Sequence, residues 1–195
     1  MNLFLTLLYF LTFPEPGQLG NDYQSECDST SIATTATKFY SWYLNNLEDT
    51  RPKESWMNKE LEIQSDLYFQ SLNNLNIASE SFFEQEKRRF QSCIDSATNI
   101  SYQRILDCGC SVGMLVNECQ FLDDFYWIRT HEIYDGFVIN NIDCNGTTAV
   151  CELQFYYGIP TDPGFDEYFT SKIQLSKYGS NWLIDKIEPE RRKRN

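Results

Sequence analysis

The chain has 195 residues, of which 42% are hydrophobic and 15% aromatic, enough apolar material for the core of one domain and too much for general disorder. Its formal net charge of -12 argues against binding to nucleic acid or to an anionic membrane surface, because both require a basic protein surface. An acidic surface favours either simple solubility or a basic protein partner.

The N-terminal region contains one apolar run, Leu3 to Phe13, which ends at Pro14 and Pro16. The run is too short for a transmembrane helix, which needs about 20 residues, but it suits the apolar part of a secretory signal. No Lys or Arg precedes it and no A-x-A cleavage site follows. We therefore predict a signal peptide in residues 1–20, a linker in 21–28 and an exported, periplasmic or extracellular protein. The alternative is a cytoplasmic protein whose first segment docks on the core.

Cysteine is abundant for a cytosolic protein, with seven residues at positions 27, 93, 108, 110, 119, 144 and 151. Because the number is odd, at least one thiol stays free when the others pair. The one cluster that could bind zinc would combine Cys93, Cys108, Cys110, Cys119 and the single histidine, His131. Its spacing lacks the paired C-x-x-C of structural zinc sites. We predict disulfides or buried thiols, and no metal or cofactor.

The clearest predicted helix begins at Asp28 or Ser29, either of which supplies an N-cap oxygen, and cannot continue past Pro52. Its apolar stripe recurs at steps of three and four residues: Ile32, Ala36, Phe39 with Tyr40, Tyr43 and Leu47.

Two shorter helices are predicted after it. The first carries Leu67, Phe69, Leu72 and Leu75. The second begins near Ser81, which has capping-box spacing to Glu84, and buries Phe83, Phe90, Ile94 and Ala97. Its basic triplet, Lys87, Arg88 and Arg89, is predicted to face the solvent.

Beyond about residue 133 the apolar pattern changes to a period of two, which predicts strands. Asn145-Gly146 indicates a two-residue type I′ hairpin turn. The strand after it places Ala149, Cys151, Leu153, Phe155 and Tyr157 on one face. In this register Cys144 and Cys151 are too far apart to form a disulfide.

The stretch GSNWLIDKI, residues 179–187, is predicted to be the closing strand of the sheet. With residues 177–180 as a four-residue loop, Leu175 lies opposite Trp182, and Ile173 opposite Ile184, on the core face. On the other face Lys172 lies opposite Asp185, an oppositely charged cross-strand pair.

Helices followed by an antiparallel sheet define an α+β fold, with one domain over residues 29–189 and a basic tail over 190–195. Two motifs, Phe39-Tyr40-x-Trp42-Tyr43 and Trp182-x-Ile184-Asp185-x-Ile187, flank Asp123-Asp124-Phe125. With these motifs in this order, the chain resembles the cone-shaped superfamily of nuclear transport factor two and ketosteroid isomerase. Within that superfamily it is most similar to a family of uncharacterised, often exported bacterial domains. The resemblance implies a curved sheet around the N-terminal helix and a pocket at the open end of the cone, where enzymes of this fold place an acid.

No G-x-S-x-G, P-loop or H-E-x-x-H motif is present, so we assign no catalytic residue. The acids embedded in apolar sequence are Asp124, Glu152 and Asp185. Candidate ligand-binding residues are Tyr40, Tyr43, Trp127, His131 and Tyr156, whereas Trp182, Ile184, Asp185 and Lys172 are assigned structural roles.

We predict a non-catalytic exported domain that binds a small molecule or a protein. One alternative is an immunity-type inhibitor of a basic toxin; another is a small-molecule isomerase or dehydratase that uses a pocket acid.

Overall fold

The computed structural model describes residues 27–129, 133–158 and 167–191, without the side chains of 47–50, 167–168 and 191. The predicted signal peptide, His131 and residues 192–195 of the predicted tail lie outside these ranges. The described chain has the predicted α+β order. Its elements are α1 (Ser29–Thr50), β1 (Lys53–Met57), β2 (Glu60–Gln64), α2 (Asp66–Leu75), α3 (Glu80–Ser96), α4 (Tyr102–Cys108), α5 (Val112–Leu115), a 3-10 helix (Asn117–Leu122), β3 (Gly136–Asn145), β4 (Thr148–Tyr156), β5 (Glu167–Tyr178) and β6 (Asn181–Arg191).

Helix α1 confirms the prediction for its start and for its apolar stripe. Asp28 Oδ1 accepts a hydrogen bond from the Ser31 amide at 3.1 Å, and this bonding to Ser31 lowers the pKa of Asp28. The stripe residues Ile32, Ala36, Phe39, Tyr40 and Tyr43 are all buried. The helix ends before Pro52, as expected for a residue that cannot continue it.

Helices α2 and α3 exist as predicted, and the buried side of each overlaps the predicted one: Leu72, Phe90 and Ala97 are buried, and Phe69, Leu75 and Phe83 pack against the core while partly exposed. In α2 the buried residues are Tyr68 and Leu72, whereas Leu67 is exposed. Helix α3 begins two residues earlier than predicted, because Ser79 rather than Ser81 caps it and accepts from the Phe82 amide. Its buried side is therefore Phe82, Glu86, Phe90 and Cys93.

A hairpin of β1 and β2 was not predicted. Its strands pair antiparallel from Lys53 opposite Gln64 to Met57 opposite Glu60. Asn58 and Lys59 form the turn with φ values of 53° and 70°, the two positive angles that a type I′ turn requires.

The main sheet is antiparallel, with the strand order β3-β4-β5-β6. Its inner face confirms the predicted core row of β4, since Ala149, Cys151, Leu153 and Phe155 are buried. The turn before β4 was predicted one residue too early: Asn145 pairs with Thr148, so Gly146 and Thr147 are the loop residues and Gly146 takes the positive φ. Cys144 and Cys151 are not bonded to each other, as predicted.

The predicted register of β5 and β6 was wrong. Tyr178 pairs with Asn181, so the loop has two residues rather than four, and Gly179 supplies its positive φ. This loop places Leu175 opposite Ile184, and a bulge at Gln174/Leu175 shifts the pairing by one further residue, so Ile173 lies opposite Ile187. Trp182 and Ile184 are nevertheless buried, as predicted.

The predicted ion pair between Lys172 and Asp185 does not form, because the two-residue loop and the bulge together place Glu188 opposite Lys172. The Lys172 ammonium lies 3.4 Å from Glu152 and 4.0 Å from Glu190 instead. Glu190 belongs to β6, which ends at Arg191 and so includes two residues that the prediction placed in the tail.

The helices close the sheet on its inner side and along one edge. Helix α1 packs on β3, β4 and β6, and the Thr35 hydroxyl donates to the Trp182 carbonyl at 3.2 Å. Residues 77–79 pair with β6 through hydrogen bonds between Ile184 and both Ile77 and Ser79. This segment covers the backbone groups of an edge strand that would otherwise be free to pair with another chain.

Three cysteine pairs lie at disulfide distance, as the cysteine count suggested. Cys27–Cys144 links the start of α1 to the end of β3, Cys93–Cys119 links α3 to the 3-10 helix, and Cys108–Cys110 spans the turn between α4 and α5. Cys151 is a buried free thiol. Three such pairs fit an oxidising environment. Among the helices of the described residues, none is long and apolar enough to cross a membrane.

Candidate functional site

Three of the predicted ligand-binding residues meet in the interior, where they bind one another. The Tyr40 hydroxyl donates to Ser171 Oγ at 2.7 Å and lies 3.2 Å from the Trp127 carbonyl oxygen. The Trp127 amide donates to the Tyr43 hydroxyl at 3.2 Å, and its indole Nε1 donates to the Tyr68 hydroxyl at 3.3 Å. Trp127 therefore joins α1 and α2 through three tyrosines, and all of these rings are buried.

The same network continues to a buried acid that the sequence did not single out. The Tyr68 hydroxyl donates to Glu86 Oε2 at 2.6 Å, and Arg89 Nε donates to Glu86 Oε1 at 3.1 Å. A second guanidinium nitrogen of Arg89 also contacts Glu86 Oε2. Only 3% of the Glu86 side chain and 14% of the Arg89 side chain are exposed, so both charges lie inside the protein.

Arg89 was predicted to face the solvent, and this prediction was wrong. Its guanidinium carbon lies 3.9 Å from the ring centre of Tyr126 and 4.5 Å from that of Phe121, with Phe90 and Trp127 next nearest. Burial is the largest single influence and would lower the pKa of Arg89, but the charge of Glu86, its hydrogen bonding to Arg89 and the nearby tyrosines Tyr68 and Tyr126 together outweigh burial, so the pKa is raised and the group stays cationic. The aromatic faces further stabilise this cation.

The interior tyrosines keep their protons at physiological pH. Burial raises the pKa of Tyr40, Tyr43 and Tyr68, and for Tyr68 the charge of Glu86 adds to that effect. Each hydroxyl thus remains available as a hydrogen-bond donor. Because both oxygens of Glu86 already accept from protein groups, this carboxylate is placed as a structural acceptor rather than as a general base facing a cavity.

The remaining predicted residues lie apart from this cluster. Tyr156 is half-buried on β4, and its hydroxyl covers Gly136, where an added Cβ would lie 2.3 Å from the hydroxyl oxygen. His131 lies outside the described residues. Of the three predicted acids, Glu152 pairs with Lys172 and all three are only half-buried.

A groove with a volume of about 300 Å³ crosses the outer face of the sheet. It follows one row of cross-strand partners, Asp143 on β3, Val150 on β4 and Gln174 on β5, and reaches Asp185 on β6. Its polar lining consists of two carboxylates, two amides and two hydroxyls, supplied by Asp143, Asp185, Asn145, Gln174, Thr148 and Ser176. We call this feature the sheet groove.

The sheet groove is rich in acceptors and has no cationic lining residue within the part of the chain described. Two lysines of the neighbouring sheet surface are already paired, Lys172 with Glu152 and Lys186 with Glu188. The Gln174 amide nitrogen donates to Glu188 at 3.0 Å, so its carbonyl oxygen is the group left to accept. Asp185 accepts from the Tyr178 hydroxyl at 3.3 Å, and its charge raises the pKa of Tyr178.

Comparisons of this chain with models of protein families, with curated proteins and with solved structures found no match. The resemblance to the nuclear transport factor two superfamily therefore rests on the sequence motifs alone.

Sequence reasoning missed both Glu86 and the sheet groove. Glu86 had a signal, since it lies four residues after Phe82 and four before Phe90, which places it on an apolar stripe. The sheet groove had no such signal in the sequence. Its lining residues alternate with core residues on four strands, and the sequence did not determine how those strands pair.

Proposed function

We propose that this protein is a non-catalytic binding domain that holds a lysine or arginine side chain of a protein partner in the sheet groove. The observation that carries the proposal is the groove's chemistry: carboxylates from β3 and β6 with amide and hydroxyl oxygens between them, and no lining cation among the described residues. Ammonium and guanidinium groups are donors only, so an acceptor-rich surface complements them. The net charge of -12 would steer such a partner toward the domain.

The proposal includes export and a cone-like fold. The three cysteine pairs support an oxidising compartment, which agrees with the predicted signal peptide. The packing of α1 across β3, β4 and β6 supports a sheet curved around that helix, as the resemblance implies. In such a cone Tyr40, Tyr43 and Trp127 fill the interior. The outer face of the sheet is then the surface on which a partner binds.

The predicted alternative of an inhibitor that covers a basic toxin is a special case of this proposal. Both need a basic partner and an acidic surface. The isomerase alternative gains no support from the interior, because the oxygens of its buried acid, Glu86, are occupied by Tyr68 and Arg89.

The test measures binding of a hexaarginine peptide to the full-length protein by isothermal titration calorimetry. The groove variant is Asp143→Asn/Asp185→Asn, which removes two charges and keeps the side-chain volume. The matched control is Asp95→Asn/Asp107→Asn, which removes the same charge from α3 and α4. We expect at least a tenfold loss of affinity for the groove variant, about 1.4 kcal/mol, and a change below threefold for the control.

Two results would contradict the proposal. If both variants lost affinity equally, the peptide would be bound by overall acidity rather than by the groove. If amide chemical-shift changes on peptide binding fell on the helices rather than around Val150 and Gln174, the partner would use another surface.

A further inference from the structure

The disulfide Cys108–Cys110 differs from the other two in the length of chain that it encloses. It closes a loop over one residue, Gly109, whereas Cys93–Cys119 and Cys27–Cys144 join positions 26 and 117 residues apart. A disulfide stabilises a fold mainly by restricting the unfolded chain, and this effect grows with loop length. Stabilisation therefore accounts for the two long-range bonds but gives little reason for the short one.

Cys108–Cys110 is also the most accessible of the three bonds. Cys108 is exposed and Cys110 half-buried, whereas Cys27 and Cys144 are both half-buried and Cys93 and Cys119 are completely buried. A Cβ added at Gly109 would meet no atom within 4 Å, so a partner can approach the apex of this turn. Accessible disulfides are the ones that exchange with thiols, since a thiolate must reach one sulfur in line with the bond.

The turn that carries the two cysteines is held by its flanking helices. Helix α4 ends at Cys108, where Gly109 adopts a φ of 60°, and α5 is capped by the Ser111 side chain. The Ser111 hydroxyl also donates to Asp123 at 2.6 Å. Ile105 on α4 and Val112 on α5 are buried anchors. From this support we expect the two sulfur atoms to stay close together after the bond is reduced, so that the bond can form again.

We propose that Cys108–Cys110 is a redox-active disulfide that oxidises a dithiol in a partner protein. One partner thiolate attacks Cys108 Sγ, the Cys108–Cys110 bond breaks, and Cys110 leaves as a thiolate that takes up a proton. The second partner thiol loses its proton and attacks the partner sulfur of the mixed disulfide, which releases Cys108 as a thiol. The partner loses two electrons and two protons and gains a disulfide; this protein gains both and becomes a dithiol. The activity is independent of binding in the sheet groove.

The test mixes the fully oxidised, full-length protein with an equimolar reduced peptide, Cys-Gly-Gly-Gly-Cys, without oxygen at neutral pH. Samples are quenched with acid, alkylated and digested, and mass spectrometry then reports the state of each cysteine pair. We expect Cys108 and Cys110 to become alkylated at least ten times faster than Cys93 and Cys119, with one peptide disulfide formed for each pair reduced. The variant Cys151→Ser, which removes the free thiol, should behave like the parent protein.

Because mass spectrometry reports each cysteine pair separately, the parent protein alone tests the proposal, and the test does not depend on a variant that folds. Equal rates of reduction at Cys108–Cys110 and Cys93–Cys119, or peptide thiols that persist beside an intact Cys108–Cys110 bond, would overturn the proposal. The variant Cys108→Ser/Cys110→Ser should leave the peptide reduced, and peptide oxidation at the parent rate would overturn the proposal as well.

Discussion

Replacing Arg89 with methionine should destabilise the protein severely, because it leaves the carboxylate of Glu86 buried without its cation. Methionine preserves much of the side-chain volume between the surrounding rings, so the change removes mainly charge and hydrogen bonds. Breaking a buried ion pair by removing one partner costs about 3–5 kcal/mol. Since only 3% of the Glu86 side chain is exposed, water cannot restore the lost interactions in the folded state.

The double variant Glu86→Gln/Arg89→Met separates the pair interaction from packing. The glutamine carbonyl oxygen can still accept from the Tyr68 hydroxyl, so the double variant buries no charge and leaves no unpaired tyrosine. We expect its loss of stability to be smaller than the sum of the two single losses by at least about 2 kcal/mol. The assay is unfolding in guanidinium chloride, followed by tryptophan fluorescence and circular dichroism.

The pair Glu84 and Lys87 provides the control on the same helix. It has the same spacing and a 2.8 Å contact, but 49% and 60% of its side chains are exposed. Glu84→Gln/Lys87→Met should leave the unfolding midpoint nearly unchanged, because solvent screens exposed pairs. If the Glu86 and Arg89 variants were additive within about 0.5 kcal/mol, or no worse than this control, the pair would not be buried as described.

Three further predictions follow from the core and the cysteines. Removing the buried disulfide with Cys93→Ser/Cys119→Ser should cost about 3.5 kcal/mol of unfolding free energy in denaturant titrations, the value expected for a loop of this length. Stability should fall with rising pH above about pH 9, where Cys151 begins to bind more protons folded than unfolded, and more steeply above about pH 10, where tyrosines of raised pKa, among them Tyr40, do the same; each group contributes about 1.4 kcal/mol per pH unit in urea titrations. Cys151, whose pKa burial raises to about 11, should react with a disulfide reagent at pH 8 only at the rate of unfolding.

Each of these predictions has an opposing result. A loss below about 1 kcal/mol for the Cys93/Cys119 variant would mean that this bond is absent or adds no constraint. If Tyr40→Phe left the alkaline slope unchanged, the Tyr40 hydroxyl would titrate alike in the folded and unfolded chain. Rapid modification of Cys151 in native buffer, without added denaturant, would show that its thiol is accessible.

The order of elements and the helix α1 could be predicted because local signals were strong and agreed. Asp28 indicated the N-cap, and Pro52 marked the position that the helix cannot pass. The apolar stripe between them matched one face of a helix. The β1–β2 hairpin was missed although Leu61 and Ile63 alternate with polar residues. Each strand has only five residues, and the turn residues Asn58 and Lys59 lack the glycine that marks such turns.

The strand register could not be predicted from the sequence, for a specific reason. Both predicted turns contained the right glycine, but the residues on either side of Gly146 and Gly179 allow loops that differ by one or two positions. Each such choice changes every partner along the two strands, and bulges such as the one at Gln174/Leu175 change them again. The sheet groove depends on this register, so it could not be predicted before the structure was known.

The error at Arg89 has consequences for where the protein can bind a ligand. The sequence rule that charged residues face water put Arg89 outside and left the interior free for a ligand beside Tyr40, Tyr43 and Trp127. In the structure Arg89 lies against the rings of Tyr126 and Trp127 and pairs there with Glu86. A small molecule entering there would have to displace a paired cation and break the hydrogen bonds that hold Trp127 on three sides. Binding on the outer face requires no such disruption, because Asp143, Asn145 and Thr148 of the sheet groove are already exposed.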